Sequence, residues 1–106
     1  MWLLRSEGDE LGSPRFLFRL RPRNLKTMGR AVRADFVVEA ALVSRLHCRF
    51  SVAEDGTLAV EDLKSTNGTT VNGRAVTRAV LVPGDRLRVG RVEFTVSREA
   101  DDRQTT

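Results

Sequence analysis

The chain has 106 residues, 41% of them hydrophobic and 30% charged, which is typical of one soluble domain with its own core and not of a disordered chain. No apolar run approaches the roughly 18 residues of a spanning helix, and Arg5 and Glu7 interrupt the start, where an export signal needs its apolar stretch. The net charge of +4 favours anionic partners without identifying one.

Five segments alternate apolar and polar residues with the period of a half-buried β-strand. In chain order they are RFLFRL (15–20), HCRFSV (47–52), TLAVED (57–62), DRLRV (85–89) and RVEFTV (91–96). The turn-forming pairs between them are Asp55-Gly56, Asn67-Gly68, Asn72-Gly73 and Gly84-Asp85. This rhythm of short strands and turns predicts a β-sandwich or a small barrel.

One segment does not follow this pattern. Residues 30–54 lack an internal Gly or Pro, and the stretch VVEAALVSRLH would pass locally as an amphipathic helix. A helix reaching His47 would have to give way at once to the alternating strand that His47 opens. We therefore expect a short strand over residues 36–38 and a loop carrying residues 43–46, with the helix as the alternative. The domain is expected to span residues 1–97, followed by a flexible tail over residues 98–106.

Cationic residues are concentrated in RFLFRLRPRNLK (15–26) and DRLRVGR (85–91). They alternate with apolar residues, so we favour solvated strand faces, with a nucleic-acid-binding patch as the alternative. Single-stranded nucleic acid needs exposed aromatic side chains for stacking, but the chain has no Tyr and its Phe residues fall on predicted core faces. The single cysteine, Cys48, cannot form an internal disulfide and is expected to be a small buried hydrophobe.

A series of short polar and glycine-containing motifs runs along the chain. In order they are Gly29-Arg30, Ser44-Arg45-Leu46-His47, Asp62-Leu63, Ser65-Thr66-Asn67-Gly68-Thr69, Val71-Asn72-Gly73, Gly84-Asp85 and Val89-Gly90. Each motif alone is common, but together, in this order and spacing, they resemble the forkhead-associated (FHA) domain. The resemblance implies an all-β, eleven-stranded antiparallel β-sandwich whose loops at one end bind phosphothreonine in a partner protein segment. It implies no catalysis, no cofactor and no metal, and we expect a monomer that binds no membrane.

The resemblance also assigns residues to the phosphate. A phosphate monoester near pH 7 carries roughly −1.5 to −2 charges and three acceptor oxygens, so its receptor needs a cation and several neutral donors. By similarity to the family, Arg30 supplies its guanidinium, Ser44 its hydroxyl and backbone amide, and Thr66 a further donor. An arginine suits the role because its planar fork makes two parallel charge-assisted bonds. The plain structural alternatives are a surface arginine, a loop cap and a turn hydroxyl.

Three further residues complete the expected phosphopeptide-binding set. Arg45 is near the phosphate in many FHA domains, through its side chain or its amide. Asn67 resembles the residue that holds the main chain of the bound segment just after the phosphothreonine, although an Asn-Gly turn also accounts for it. Lys64 either reaches toward the phosphate or lies in solvent.

Four residues are expected to support the site: Gly29, His47, Gly68 and Asn72. Gly29 lets the backbone bend sharply before Arg30. A lone histidine without a second ligand or a nucleophile at suitable spacing is neither a metal site nor a catalytic base. In the family this position braces the binding loops from beneath, and His47 is assigned that structural role.

The predicted function is a phosphothreonine-dependent interaction module that docks its parent protein onto phosphorylated partners in kinase signalling. A basic nucleic-acid-binding β-domain is the alternative. The opening MWLL is similar to that of nibrin-type DNA-repair proteins, which would place the parent in the DNA-damage response and the nucleus. The composition suits a bacterial signalling domain in the cytoplasm about as well.

Specificity beyond the phosphothreonine rests on few residues. Some FHA domains carry a basic residue two positions before the serine, whereas this chain has Leu42. We expect a mild preference for acidic residues around the phosphothreonine, supplied by the solvated cations Arg33, Lys64 and Arg74. An apolar side chain three places after the phosphothreonine is expected to be preferred if Leu42 faces the groove.

Overall fold

The computed structural model describes residues 1–7 and 15–99. Those residues form eleven β-strands and no helix, which confirms the all-β prediction. The strands are β1 (Trp2–Ser6), β2 (Phe16–Leu20), β3 (Leu25–Gly29), β4 (Phe36–Val37), β5 (Cys48–Val52), β6 (Leu58–Asp62), β7 (Thr69–Val71), β8 (Arg74–Val76), β9 (Arg78–Leu81), β10 (Arg86–Val89) and β11 (Val92–Arg98). This part of the chain therefore contains no membrane-spanning helix.

The strands form two sheets that pack as a sandwich. One sheet has six strands in the order β2-β1-β11-β10-β7-β8, and the other has five in the order β4-β3-β5-β6-β9. Phe50 of the five-stranded sheet and Phe94 of the six-stranded sheet are fully buried between them, each contributing about 1.5–3 kcal/mol of hydrophobic stabilisation. Phe18 stacks on Phe36 across the core with ring centroids 4.5 Å apart. The alternating segments therefore place their apolar faces in the core, as predicted.

Cys48 belongs to this core. Its side chain is fully buried, and burial, with a smaller contribution from the Asp62 carboxylate, raises the pKa of the thiol well above its usual range. The thiol therefore stays protonated and packs as a small hydrophobe, which confirms the prediction from its strand position.

One pairing departs from the predicted antiparallel arrangement. β3 and β4 pair in parallel, with Met28 opposite Phe36. The connection of only six residues, 30–35, is folded back by Asp35, whose carboxylate accepts hydrogen bonds from the amide (2.8 Å) and hydroxyl (3.1 Å) of Thr27. These bonds hold the end of the connection beside Thr27 in the middle of β3. β4 starts from that point and runs alongside the last residues of β3 in the same direction.

The segment that was ambiguous between strand and helix is a short strand followed by turns. β4 covers two of the three predicted residues, and Val38, the third, is fully buried and donates its amide to the carbonyl of Gly29 at 2.8 Å. Two turn-closing bonds follow, from the amide of Ala40 to the carbonyl of Val38 and from the amide of Val43 to the carbonyl of Ala40. The segment does not form the helix that its periodicity allows, because the strand end and the turns bury Val38 and Val43 instead.

The last residue of β11 is Arg98, the first residue of the predicted tail. It pairs with Trp2 of β1, and its guanidinium lies over the ring of Trp2, 4.9 Å from the centroid. Glu99 then exchanges two hydrogen bonds with Met1. The rest of the predicted tail, residues 100–106, lies outside the described residues.

Candidate functional site

A groove of about 700 Å³ lies at one end of the sandwich, where two loops meet the end of β3. The first loop comprises residues 38–47 between β4 and β5, and the second comprises residues 63–68 between β6 and β7. Four of the predicted binding residues line the groove: Arg30, Ser44, Thr66 and Asn67. The fold therefore brings together side chains that are up to 37 positions apart in the sequence.

Arg30 is held at the groove by its own backbone and by one side-chain bond. Its amide donates to the carbonyl of Ser44 at 2.9 Å, and its Nε donates to the carbonyl of Val43 at 3.1 Å. Gly29 permits this close approach, since a Cβ there would lie 2.1 Å from the carbonyl oxygen of Arg45. The Nε bond orients the guanidinium, and the two terminal nitrogens have no acceptor among the described residues.

Ser44 joins the two loops. Its Oγ accepts a hydrogen bond from the backbone amide of Thr66 at 3.0 Å, which leaves the hydroxyl hydrogen of Ser44 for another acceptor. The resemblance also gave the backbone amide of Ser44 to the phosphate, but that amide donates to Nδ1 of His47 at 3.0 Å. A backbone amide has one hydrogen, which is directed to His47 here, so the hydroxyl of Ser44 is the donor that remains for a ligand.

His47 lies beneath both loops and connects them. Its side chain is fully buried, Nδ1 accepts from the amide of Ser44, and Nε2 lies 2.8 Å from the carbonyl oxygen of Gly68. Because an amide can only donate and a carbonyl can only accept, the ring is neutral with its hydrogen on Nε2. Gly68 has a φ of +83°, a conformation in which glycine carries no steric penalty.

Asn67 reaches back to the first loop. Its Nδ2 donates to the carbonyl of Leu42 at 3.2 Å, and Leu42 adopts a φ of +69°, which is strained for a leucine. Gly90, in the turn between β10 and β11, lies against the same peptide group, since a Cβ at Gly90 would be 2.9 Å from the carbonyl carbon of Leu42. Asn67 and Gly90 together hold Leu42 in its unusual conformation, with its side chain at the groove.

The second loop is organised by Asp62. Its carboxylate accepts hydrogen bonds from the hydroxyls of Ser65 (2.5 Å) and Thr69 (2.8 Å) and from the amide of Ser65 (3.1 Å). The hydroxyl of Ser65 in turn accepts the amide of Gly68 at 2.9 Å. Burial alone would raise the pKa of Asp62, but the hydrogen bonds from Ser65 and Thr69 outweigh it and the pKa lies below its usual value. The ionised carboxylate therefore fixes both ends of the loop.

Two predicted binding residues are not part of the groove wall. Arg45 and Lys64 are exposed and neither lines the groove. Lys64 adopts a φ of +56° at the start of the second loop, so its backbone conformation forms part of the turn there. Asn72 supports a different part of the fold: Nδ2 donates to Asp85 at 3.0 Å and Oδ1 accepts the amide of Arg86 at 2.9 Å. Asn72 therefore stabilises the C-terminal end of β7, which is the end farther from the second loop.

A family model described as "FHA domain" matches residues 26–90. The chain belongs to the FHA domain family. It is 35% identical over 102 residues to the "Glycogen accumulation regulator GarA" of Mycolicibacterium smegmatis, a match covering 94% of this chain and 61% of the relative. The chain spans about 60% of the length of the curated relatives that it matches first.

Solved FHA structures share the fold of this domain. The FHA domain of the CT664 protein from Chlamydia trachomatis superposes with a TM-score of 0.82 at 26% identity, covering 93% of this chain and 98% of that one. A chain from a "Structural and functional analysis of phosphothreonine-dependent FHA domain interactions" superposes with a TM-score of 0.77 at 28% identity, covering 94% and 98%. The eleven-stranded sandwich is therefore the FHA sandwich.

The residues that the structure describes offer no exposed aromatic surface to the nucleic-acid alternative. All five Phe residues and the single Trp of the sequence pack in the core or against it, so none forms an exposed stacking surface. The nibrin-like parent also gains no support, because the relatives that match most of the chain include the bacterial "Glycogen accumulation regulator GarA".

Sequence reasoning assigned no role to three residues that shape this FHA site: Asp62, Gly90 and Glu39. Asp62 and Gly90 stood in the motif series, but a polar residue after a strand and a glycine in a turn carry no sign of their tertiary contacts. Glu39 lines the groove, and nothing in the sequence distinguishes it from an ordinary surface acid.

Proposed function

We propose that this FHA domain is a phosphothreonine-dependent interaction module that docks its parent protein onto the products of protein kinases inside the cell. The observation that carries the proposal is the convergence of Arg30, Ser44 and Thr66 on one groove. They supply the cation and the neutral hydroxyl donors that a phosphate monoester requires.

The donors left over by the protein's own hydrogen bonds match this ligand. Arg30 uses Nε internally, and its two terminal nitrogens present the parallel N–H pair that binds two phosphate oxygens. Ser44 accepts with its oxygen and keeps its own hydrogen to donate. Thr66 lines the same groove, and its hydroxyl is the third donor in this proposal. A doubly charged phosphate that enters this groove replaces water by charge-assisted bonds to groups already in place.

Asn67 is suited to hold the main chain of the bound segment. One hydrogen of its amide is bonded to Leu42, which fixes the side chain, and the carbonyl oxygen and second amide hydrogen remain for a peptide N–H and C=O. Arg45 and Lys64, exposed beside the groove, attract the phosphate at longer range and are expected to contribute less than about 1 kcal/mol each.

The relatives support a signalling role. Phosphothreonine-dependent interactions are the stated subject of the work on one structural neighbour at 28% identity, and a curated relative is named as a regulator of glycogen accumulation. We infer that the parent protein is a regulator of this general kind, controlled through phosphorylated partners. A phosphothreonine residue is preferred over phosphoserine because its methyl group packs against the loops, worth about 0.8 kcal/mol or roughly fourfold in affinity.

Calorimetric titration with three versions of one peptide tests the proposal: phosphothreonine, phosphoserine and unphosphorylated threonine at the same position. The phosphothreonine peptide is expected to bind, the phosphoserine peptide about fourfold more weakly, and the unphosphorylated peptide not measurably. A library of phosphothreonine sequences supplies the starting peptide. Binding of a short DNA duplex with a steep salt dependence, and no binding from the library, would favour the nucleic-acid alternative instead.

A further inference from the structure

The groove carries a second charged side chain besides Arg30. Among the described residues that line it, Arg30 and Glu39 are the two of charged type. Glu39 is exposed and follows Val38, whose amide bonds the carbonyl of Gly29 at 2.8 Å. Glu39 therefore follows directly on the segment that pairs with the end of β3, and it shares the groove with Arg30.

The Glu39 carboxylate is not neutralised by the residues around it. The ion pairs within residues 1–7 and 15–99 are Arg23–Glu54 and Arg49–Glu61, and no hydrogen bond to the Glu39 carboxylate occurs in the same part of the chain. Arg30 does not neutralise it either, since no ion pair joins Arg30 and Glu39 among these residues. A ligand in the groove thus meets a cation and an anion on adjacent segments.

The cations on which an acidic preference was predicted occupy other places. Arg33, Lys64 and Arg74 are exposed and none of them lines the groove. An acidic residue of a bound segment would instead approach Glu39, which repels it as it repels the phosphate itself. A lysine or arginine of the segment would be attracted by both.

We propose that Glu39 is a specificity residue that selects phosphothreonine segments carrying a lysine or arginine within three residues of the phosphothreonine. The inference rests on the proposed function of the same groove. The range is that of residues close enough to share the groove with Glu39, since an extended segment advances about 3.3 Å per residue and three residues cover about 10 Å. The expected gain is two- to fivefold in affinity, as for a partly exposed ion pair, and it declines with salt.

The test uses a phosphothreonine peptide with neutral flanks, in which each position from three before to three after the phosphothreonine is replaced in turn by Arg, Gln or Glu. Each peptide is titrated against the wild-type chain, Glu39→Gln, Glu39→Lys and the control Glu93→Gln, an exposed acid on β11 outside the groove. In the wild type, Arg at one or more positions is expected to bind two- to fivefold more tightly than Gln, and Glu more weakly. This ranking of peptide affinities, Arg above Gln above Glu, is expected to be lost in Glu39→Gln, reversed in Glu39→Lys and kept in Glu93→Gln.

Two results overturn the inference while leaving the proposed function intact. One is a wild type that binds the neutral phosphopeptide but shows the same affinity for Arg, Gln and Glu at every position. The other is an Arg preference that survives unchanged in Glu39→Gln. A folded wild type that binds no phosphopeptide of any sequence refutes the proposed function and the inference with it, so the two failures are distinguishable.

Discussion

The backbone amide of Thr66 donates a hydrogen bond to Oγ of Ser44 at 3.0 Å, so the two loops of the groove meet through a residue that also lines the groove. The same hydroxyl keeps its own hydrogen, which the proposed function assigns to the phosphate. Because the loops are joined before a ligand arrives, the cost of ordering them is met during folding and not during binding.

Ser44→Ala is therefore expected to lower phosphopeptide affinity about tenfold. It removes one donor to the phosphate and the acceptor for the Thr66 amide, and a bond to a charged group is worth roughly 1.5–3 kcal/mol. The melting temperature should change little, since the exposed amide can bond water instead. Ser51→Ala, on the outer face of β5, is the matched control and should leave affinity unchanged. A Ser44→Ala chain that binds like the wild type would remove this hydroxyl from the phosphate site.

Arg30→Ala is expected to reduce affinity by ten- to a hundredfold while the fold survives. Among the residues that the structure describes, the guanidinium is the one cation lining the groove, and its loss leaves the phosphate charge unmatched. Arg30 is exposed, so its removal leaves no buried group without a partner apart from the carbonyl of Val43. Arg33→Ala, an exposed arginine outside the groove, serves as the control. Calorimetry and thermal melting on both variants check the prediction, and affinity within threefold of wild type would contradict it.

His47→Ala should act mainly on stability. The substitution leaves a cavity and two buried backbone groups, the amide of Ser44 and the carbonyl of Gly68, without their partner. We expect a loss of about 2–4 kcal/mol in the free energy of unfolding and a fall of roughly 10–25 °C in melting temperature. Affinity, measured well below the melting range, should fall less than in Arg30→Ala. A wild-type melting temperature together with lost binding would refute the bracing role.

The elements of the fold were predictable where burial follows a period of two. The strand containing Phe94 places Glu93 and Thr95 in solvent and its apolar residues in the core, as the alternation indicates. The parallel pairing of β4 was not predictable, because it depends on hydrogen bonds between Thr27 and Asp35 that close a loop.

The binding residues of the site were named by resemblance, but their internal hydrogen bonds were not. The amide of Ser44 illustrates the limit: its acceptor, Nδ1 of His47, is three residues away in sequence, yet only the loop conformation decides whether the two meet. Glu39 is a similar case, since its place in the groove depends on the pairing of Val38 with Gly29.

The lowered pKa of Asp62 predicts a pH dependence. Because the folded-state pKa lies below the unfolded value of about 3.9, the stabilisation from the carboxylate is fully present above that value and is lost as the pH falls through the folded-state pKa. Asp62→Asn should therefore lower stability at pH 7 and reduce the loss of stability that the wild type shows as the pH falls below about 4. Urea unfolding at several pH values measures both effects. Parallel pH profiles for the variant and the wild type would contradict the role of the ionised carboxylate.

Gly90→Ala is expected to disturb the groove from outside it. Gly90 and Gly73 both have positive φ, +60° and +81°, so an alanine at either position carries a similar backbone cost of about 1 kcal/mol. They differ in their surroundings: a Cβ at Gly73 meets nothing within 4 Å, whereas one at Gly90 lies 2.9 Å from the carbonyl carbon of Leu42.

Gly73→Ala therefore provides the control for backbone strain alone, and the difference between the two variants isolates the contact with the first loop. Gly90→Ala should lose roughly 1–3 kcal/mol more stability than Gly73→Ala, as for overpacking of a tight contact. It should also weaken phosphopeptide binding, because displacing Leu42 breaks the bond that fixes Asn67. Denaturant unfolding and peptide titration on both variants measure this difference. Equal losses would mean that the first loop can move away from β10 and β11 at no cost, and Gly90 would then have no part in shaping the groove.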